Sequence, residues 1–295
     1  MNESVTTRFA PSPTGRLHLG HAYSAIRAHD FARENGGRFL LRFEDIDPGR
    51  VRPEYYDAIE EDLAWLGLEW DGEPVRQSRR LPLYEDTLET LKMRGLVYPC
   101  FCTRKEIAAE IAASASAPHP PPSGPDGALY PGTCRHLSEA ERQRRMAREP
   151  HGWRLDMGEA AALAGPLSWE DAEAGLVEAT PEIHGDVVLA RKDAPTSYHL
   201  AVTVDDAAQG ISDVVRGRDL FEATHVHRLL QALLGRPTPR YHHHALIADG
   251  EGKRLAKRDD ARSLLALREA GIEGGEVAAA LRADPPDISI LSPAD

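Results

Sequence analysis

Apolar residues in the first hundred positions come in short blocks whose spacing switches between strand and helix. Val5–Ala10 is β-prone and leads into the turn Pro11-Ser12-Pro13-Thr14-Gly15. From Gly20 onward, Ala22, Ala25, Ile26 and His29 share one helical face, and the pattern stops at Gly36-Gly37, residues expected just past a helix end. Phe39-Leu40-Leu41-Arg42-Phe43 has the continuity of a buried strand and runs into the acidic turn Glu44-Asp45-Ile46-Asp47-Pro48. Pro53 opens a helix carrying Ile59, Leu63 and Leu66 that ends at Gly67; the next carries Tyr84, Leu88 and Leu91 and ends at Gly95. This alternation predicts an α/β domain with a parallel sheet.

The character changes after Tyr98. Thr103 with Glu106 forms a capping box before a short helix, and Ser138 with Glu141 forms another before an Arg-rich helix that must end near Pro150. Between them, 112–128 is rich in Pro, Ser, Gly and Ala and reads as a mobile loop. Periodicity is too weak to place elements in 151–185. Strand character returns at Asp186–Ala190, Tyr198–Val204 and Ser212–Val215; a helix over 222–234 closes at Gly235. His244–Ala248 reads as a further strand, and helical patterns near 260–270 and 275–283 complete the chain. The expected organisation is one nucleotide-binding-type domain in two halves, 1–95 and 186–265. An insertion over 96–185 separates them, and a short helical segment, 266–295, follows.

Composition narrows the function. The chain has 295 residues, 41% hydrophobic, with a formal charge of −12. That suits a well-cored protein and argues against a polybasic coat for nucleic acid, DNA included, while leaving room for a local basic surface. No apolar run approaches the roughly 20 residues of a membrane span. The N-terminus lacks the basic and apolar regions of a secretory leader. Three cysteines are too few for a disulfide scaffold, and a reducing cytoplasm is expected.

Two stretches carry candidate chemistry. Pro11 to His21 places a turn and the pair His18 and His21, with Gly20 between, at the start of a helix. Helix N-termini present unpaired N–H groups and attract phosphate, although such a pair alone can also be an incidental surface turn. Gly250–Arg258 (GEGKRLAKR) is a glycine-containing basic run in which Lys257 is a flexible point charge; the bland reading is a solvated loop.

Together these stretches resemble the HIGH and KMSKS signatures of class I aminoacyl-tRNA synthetases. Arg8-Phe9-Ala10-Pro11-Ser12-Pro13-Thr14-Gly15 with Leu17-His18-Leu19-Gly20 is similar to the glutamyl-type opening. Arg42–Asp47 and Val214–Leu220 are similar to two further signatures of that group, so four matches fall in the right order. Only 37 residues follow Arg258, fewer than the roughly 50 of a small domain, so no anticodon-binding domain is expected. The chain therefore most resembles the truncated glutamyl-Q tRNA(Asp) synthetase family.

The resemblance implies a Rossmann-type catalytic core with a zinc-binding insertion. It implies ATP-dependent, tRNA-independent activation of L-glutamate and transfer to the queuosine base at the wobble position of tRNA(Asp), with Mg²⁺ accompanying ATP. Arg8, Phe9, Ala10, Pro11 and Ser12 would line the glutamate pocket, with Arg8 pairing the side-chain carboxylate. Glu44 would accept the substrate ammonium, and Tyr198 and Arg216 would make further contacts. His18, Gly20, His21 and Lys257 would hold ATP and assist catalysis. Structural roles compete: Glu44 can cap a turn, Tyr198 can be a core aromatic, and Arg216 can pair with Asp213 or Asp219. The KMSKS-like run departs from the pattern at Arg254 and Ala256, which removes a serine hydroxyl.

All three cysteines fall in one segment, as Cys100-x-Cys102 and Cys134. In the family, this arrangement with Tyr130 holds one structural zinc; His136 and His119 are rival fourth ligands. For RNA, Arg135, Arg142, Arg144, Arg145 and Arg148, with Lys253 and Arg258, are candidate contacts, their alternative being a solvated helix face. A monomer is expected. Rival activities are a shortened glutamyl-tRNA synthetase that charges the 3′ end of tRNA(Glu) and a non-catalytic, zinc-stabilised RNA-binding module.

Overall fold

A computed structural model describes residues 4–115, 123–125, 127–247 and 263–288. The first half of the chain builds β1 (Thr6–Phe9), α1 (Leu19–Glu34), β2 (Arg38–Phe43), α2 (Glu54–Trp65), β3 (Val75–Arg76) and α3 (Leu81–Met93). β1 pairs with β2 in parallel, Thr6 opposite Arg38 and Phe9 opposite Leu41, and β3 adds to the far edge of β2, also in parallel. Gly36 and Gly67, at φ +62° and +74°, turn the chain out of α1 and α2 in the left-handed conformation that glycine adopts without a Cβ clash.

The middle of the chain adds β4 (Val97–Cys100), α4 (Arg104–Ala115), the small hairpin of β5 (Ser123–Gly124) and β6 (Gly127–Ala128), α5 (Glu139–Met146), β7 (Gly152–Leu155), α6 (Met157–Ala164), β8 (Ser168–Asp171), β9 (Gly175–Glu178) and β10 (Val188–Ala190). β4, β7 and β10 form a separate antiparallel sheet. The last part supplies α7 (Tyr198–Ala208), β11 (Asp213–Gly217), α8 (Ala223–Leu233), β12 (Arg240–His244), α9 (Leu264–Glu269) and α10 (Gly274–Arg282). β11 and β12 are parallel, and β8 joins the other side of β12, with Asp171 opposite Tyr241. Two strands inside the stretch assigned to the insertion thus extend the main sheet.

The two parallel halves meet beside β1. Ser212 donates its backbone N–H to Thr6 O at 3.0 Å, and Thr6 N–H donates to Ser212 Oγ at 2.8 Å. The chain therefore moves outward from β1 to β2 and β3 on one side, and from β11 to β12 on the other. The strand order reverses beside β1, and the carboxyl ends of the strands at such a point are the usual place for a ligand in an open α/β sheet.

Two large clusters form the core. One packs α1, β2 and α2 with α9 and α10, through Ile26, Phe39, Phe43, Leu63, Leu264 and Leu281. The other joins α3, α6, α7 and α8 through Tyr84, Leu88, Leu200, Val204, Leu229 and Leu230. At roughly 1.5–3 kcal/mol for each fully buried large side chain, these clusters fix the elements around that point.

Three expectations are corrected. Tyr198–Val204 is helix α7, not a strand. Its β-branched run, Val202-Thr203-Val204, suggests a strand, but Leu200 to Asp206 are buried all round, so no face shows a period. Thr203 Oγ1 donates to His199 O at 2.8 Å, an i−4 bond that accommodates threonine within a helix. The strand expected at His244–Ala248 lies earlier, at Arg240–His244, because its histidines find buried partners between neighbouring strands. The stretch 112–128, read as a loop, includes the end of α4 through Ala115 and the β5–β6 hairpin; 116–122 and Asp126 lie outside the described residues.

Candidate functional site

At the head of α1, two imidazoles replace the usual hydroxyl or carboxylate cap. His18 Nδ1 accepts from Gly20 N–H at 3.1 Å, and His21 Nδ1 accepts from His18 N–H at 3.4 Å. The rings stack with centroids 3.7 Å apart. A Cβ on Gly20 would come within 3.1 Å of the His18 ring, so the stack needs glycine there. The first turn of α1 holds no acidic side chain, which leaves its partial positive charge for an incoming anion. His18 also bridges Ser263, and Leu264 N–H donates to Leu17 O at 3.0 Å. Lys257, with Lys253, Arg254, Ala256 and Arg258, lies outside the described residues.

The ends of β1 and β2 bring Arg8, Arg42 and Glu44 against α7. Arg8 forks onto Asp206, Nε to Oδ1 at 3.1 Å and Nη2 to Oδ2 at 3.4 Å. Arg42, wholly buried, reaches the same carboxylate through Nη1 at 2.8 Å and Gln209 Oε1 at 2.9 Å. Its Nη2 faces Glu44 Oε1 at 3.7 Å and has no hydrogen-bond partner among the described residues. Burial pushes the Glu44 carboxyl up to about 7, against the pull of Arg42 and Arg8. Burial opposes ionisation of Asp206 too, but two guanidinium groups hold its carboxyl below the usual range. The neighbouring Asp205 accepts from Gln77 at 2.9 Å, Arg80 at 2.8 Å and Tyr84 at 2.7 Å, anchoring α7 to the first half of the domain. A backbone bond from Glu44 N–H to Pro11 O at 3.0 Å fixes the 11–15 turn beside this cluster.

From the other wall, Arg216 Nη1 donates to Tyr198 Oη at 3.3 Å. Arg216 is paired with neither Asp213, which holds His242, nor, in any contact seen here, Asp219. His227, fully buried beside Tyr198 and 3.2 Å from His199, is kept well below the usual histidine pKa by burial and by Arg216. Arg8, Glu44, Tyr198 and Arg216 thus fall in one cluster, close enough for Arg8, Glu44 and Arg216 all to act on the Tyr198 phenol. Phe9 belongs to the apolar core, Pro11 is buried, Ala10 is half-buried and Ser12 is exposed at the turn. Sequence reasoning missed Arg42, Asp205 and Asp206. Their signals were a charge inside an apolar strand and an Asp-Asp pair amid buried positions.

Cys100, Cys102 and Cys134 place their Sγ atoms within 4.8 Å of one another, Cys102 and Cys134 at 3.5 Å. Tyr130 Oη lies 3.6 Å from Cys100 Sγ and 3.5 Å from Cys102 Sγ. A tetrahedron with ~2.3 Å zinc–sulfur arms has edges of ~3.8 Å, so the four donors fit a closed zinc site. Arg154 covers the Tyr130 ring at 3.9 Å and donates to Cys100 Sγ at 3.4 Å; Phe101 N–H donates to Cys134 Sγ at 3.4 Å. Bonds from Cys134, Tyr130 and Arg154 lower the Cys100 thiol, outweighing burial. His136 is exposed and outside this group, and His119 is not among the described residues.

Most of the candidate RNA-binding arginines already have partners. Arg144 pairs with Glu141, and Arg145 bonds Glu149 at 2.7 Å while lying over Phe101. Arg142 Nη2 donates to Arg135 O at 2.6 Å, and Arg135 holds Asp186 at 3.2 Å. Among the described residues, no helix is long and apolar enough to cross a membrane.

The family model described as tRNA synthetases class I (E and Q), catalytic domain, matches residues 4–273. Glutamyl-Q tRNA(Asp) synthetase of Rhodobacter capsulatus is 53% identical over 277 residues, spanning 92% of this chain and 98% of that protein. The enzyme of the same name from Deinococcus radiodurans is 47% identical, over 94% and 88% of the two chains. A solved glutamate tRNA ligase from Elizabethkingia meningosepticum, in complex with its amino acid, superposes with a TM-score of 0.75 at 31% identity. The match covers 88% of this chain and 53% of the ligase, so the chain spans about half of that longer enzyme.

Proposed function

The chain belongs to the class I tRNA synthetases of the E and Q type, within the glutamyl-Q tRNA(Asp) synthetases, and from that premise we propose the following reaction. The protein activates L-glutamate with ATP, without tRNA, and transfers it to queuosine at the wobble position of tRNA(Asp). The observation that carries this reading is the cluster of Arg8, Arg42, Glu44, Tyr198 and Arg216, together with a helix N-terminus free of acidic residues.

Glutamate carries two carboxylates and one ammonium. Arg8, although paired with Asp206, and Arg216, through its Nη1, supply the positive charge that attracts the carboxylates, and Glu44 accepts the ammonium. The α-carboxylate then attacks the α-phosphate of ATP in line, breaking the bond to pyrophosphate and forming glutamyl-adenylate. The protein's part is positioning and charge stabilisation. His18, Gly20, His21 and the N-terminal amides of α1 hold the nucleotide, Mg²⁺ accompanies its phosphates, and Lys257 balances charge on the leaving pyrophosphate. In the second step a hydroxyl of the modified base attacks the acyl carbon and AMP leaves. Cys100, Cys102, Cys134 and Tyr130 would hold one zinc, whose role would be to cross-link the segment rather than to enter the chemistry.

The test is glutamylation of purified tRNA(Asp) from queuosine-sufficient and queuosine-deficient cells, alongside glutamate-dependent pyrophosphate exchange without tRNA. Exchange without tRNA, and acceptance only by queuosine-bearing tRNA(Asp), are expected. Charging of queuosine-free tRNA would favour a shortened glutamyl-tRNA synthetase; no exchange at all would favour a non-catalytic module. Lys257→Ala should cut exchange far more than glutamate binding, and unchanged exchange would remove Lys257 from the reaction.

A further inference from the structure

Behind Arg216 lies a chain of buried groups that neither the motifs nor the proposed reaction uses. Asp171 ends β8, with its side chain 1% exposed. Its Oδ1 accepts the backbone N–H groups of Glu173 at 3.0 Å and Ala174 at 2.9 Å. Its Oδ2 accepts His243 N–H at 3.3 Å and faces His243 Nδ1 at 2.7 Å. His243 Nε2 in turn lies 3.1 Å from Arg216 Nε.

These contacts admit one protonation pattern. Three backbone N–H groups converge on Asp171, whose carboxylate is held below the usual range and is an acceptor only, so His243 Nδ1, 2.7 Å from Oδ2, must carry the proton. The Nε2 lone pair then accepts from Arg216, which has donors and no acceptor. The opposite tautomer would set two N–H groups against each other. Burial, reinforced by Arg216, pushes His243 down to about 4 despite Asp171, so the ring stays neutral at physiological pH. The remaining Arg216 donors are spoken for at Nη2, by Leu220 O at 3.1 Å and Thr224 Oγ1 at 2.7 Å. Only Nη1 reaches the pocket, where it meets Tyr198.

We propose that Asp171 and His243 are positioning residues for Arg216: the carboxylate fixes the imidazole tautomer, and the imidazole fixes the guanidinium plane, so that Nη1 is presented to the acidic substrate beside Tyr198. The relay starts at β8, a strand outside the pocket, and crosses β12 to reach β11. It rests on Arg216 being a glutamate-binding group, as proposed above. A buried acceptor behind an arginine limits the orientations it can sample, which lowers the ordering cost when substrate arrives.

Two measurements on the full-length protein test this. In ¹⁵N-labelled protein, the imidazole signal lost in His243→Phe should be that of a neutral ring protonated at Nδ1. A ring protonated at Nε2, or an imidazolium at neutral pH, overturns the relay whatever the enzyme does. In glutamate-dependent pyrophosphate exchange, His243→Phe should raise the KM for glutamate about tenfold while the KM for ATP stays within about twofold. His243→Gln, whose amide oxygen can accept from Arg216, should recover most of that loss. Equal rises in both KM values, or a fall in kcat alone, would mean that His243 only supports the fold. Absence of glutamate-dependent exchange in the unaltered protein would refute the proposed reaction, while the tautomer still decides the relay.

Discussion

The arginine–carboxylate cluster around Asp206 and the cysteine cluster are both largely buried, polar and assembled from distant segments, yet they solve opposite charge problems. In the first, Arg8 and Arg42 meet Asp206, and Arg42 meets Glu44, so most charge is neutralised internally. What remains is a small imbalance: two guanidinium nitrogens of Arg42, Nε and Nη2, without a hydrogen bond among the described residues, and a carboxyl at Glu44 raised to about 7. The cysteine cluster gathers three sulfurs and a phenol, with Arg154 over the phenol at its edge. Electron-rich donors brought this close need a positive centre among them. The first region thus balances most of its charge from within, and the second offers donors that suit a bound cation.

Breaking the internal pairing around Asp206 should have the largest effect. Asp206→Ala strands two buried guanidinium groups and should cost about 3–5 kcal/mol in urea unfolding. A smaller cost would mean that water reaches the arginines. Next comes the cysteine cluster. Metal analysis should find one zinc per chain, and Cys134→Ser should lose it and lower Tm by roughly 5–10 °C. An unchanged Tm would make the two regions alike after all.

A third test concerns Glu44. Its carboxyl, raised to about 7, must be ionised to hold an ammonium, so protonation competes with substrate. As pH falls from 8 to 6, the KM for glutamate should rise about tenfold, with little change above pH 8. A flat profile would place the ammonium elsewhere. The smallest effect belongs to the exposed pair of Arg144 and Glu141. Arg144→Ala should shift stability by less than about 0.5 kcal/mol, and a larger shift would give α5 a packing role.

Legibility from sequence followed how local the signal was. The helices ending at Gly36, Gly67 and Gly235 could be read because apolar spacing and a terminating glycine lie within a few residues of each other. Arg8, Glu44, Tyr198 and Arg216 could be singled out because each sits in a recognisable run. Arg42 and Asp206 could not, since their meaning lies in a contact spanning 164 residues of chain. Helix α7 was misread because burial on every side erases the periodicity that separates helix from strand. The strand expected at His244–Ala248 lies instead at Arg240–His244 because the partners of its three histidines, Asp213, Asp171 and Ser24, are remote in sequence.

The imidazole cap on α1 has a practical corollary for anyone redesigning this scaffold. Ordinary rules for hardening a protein against heat would install Ser or Asp at position 18 and an acid one turn later, gaining on the order of 1 kcal/mol. Either change would replace the imidazole cap, and an acid there would oppose an incoming anion, so under the proposed reaction a tougher variant would be a poorer enzyme.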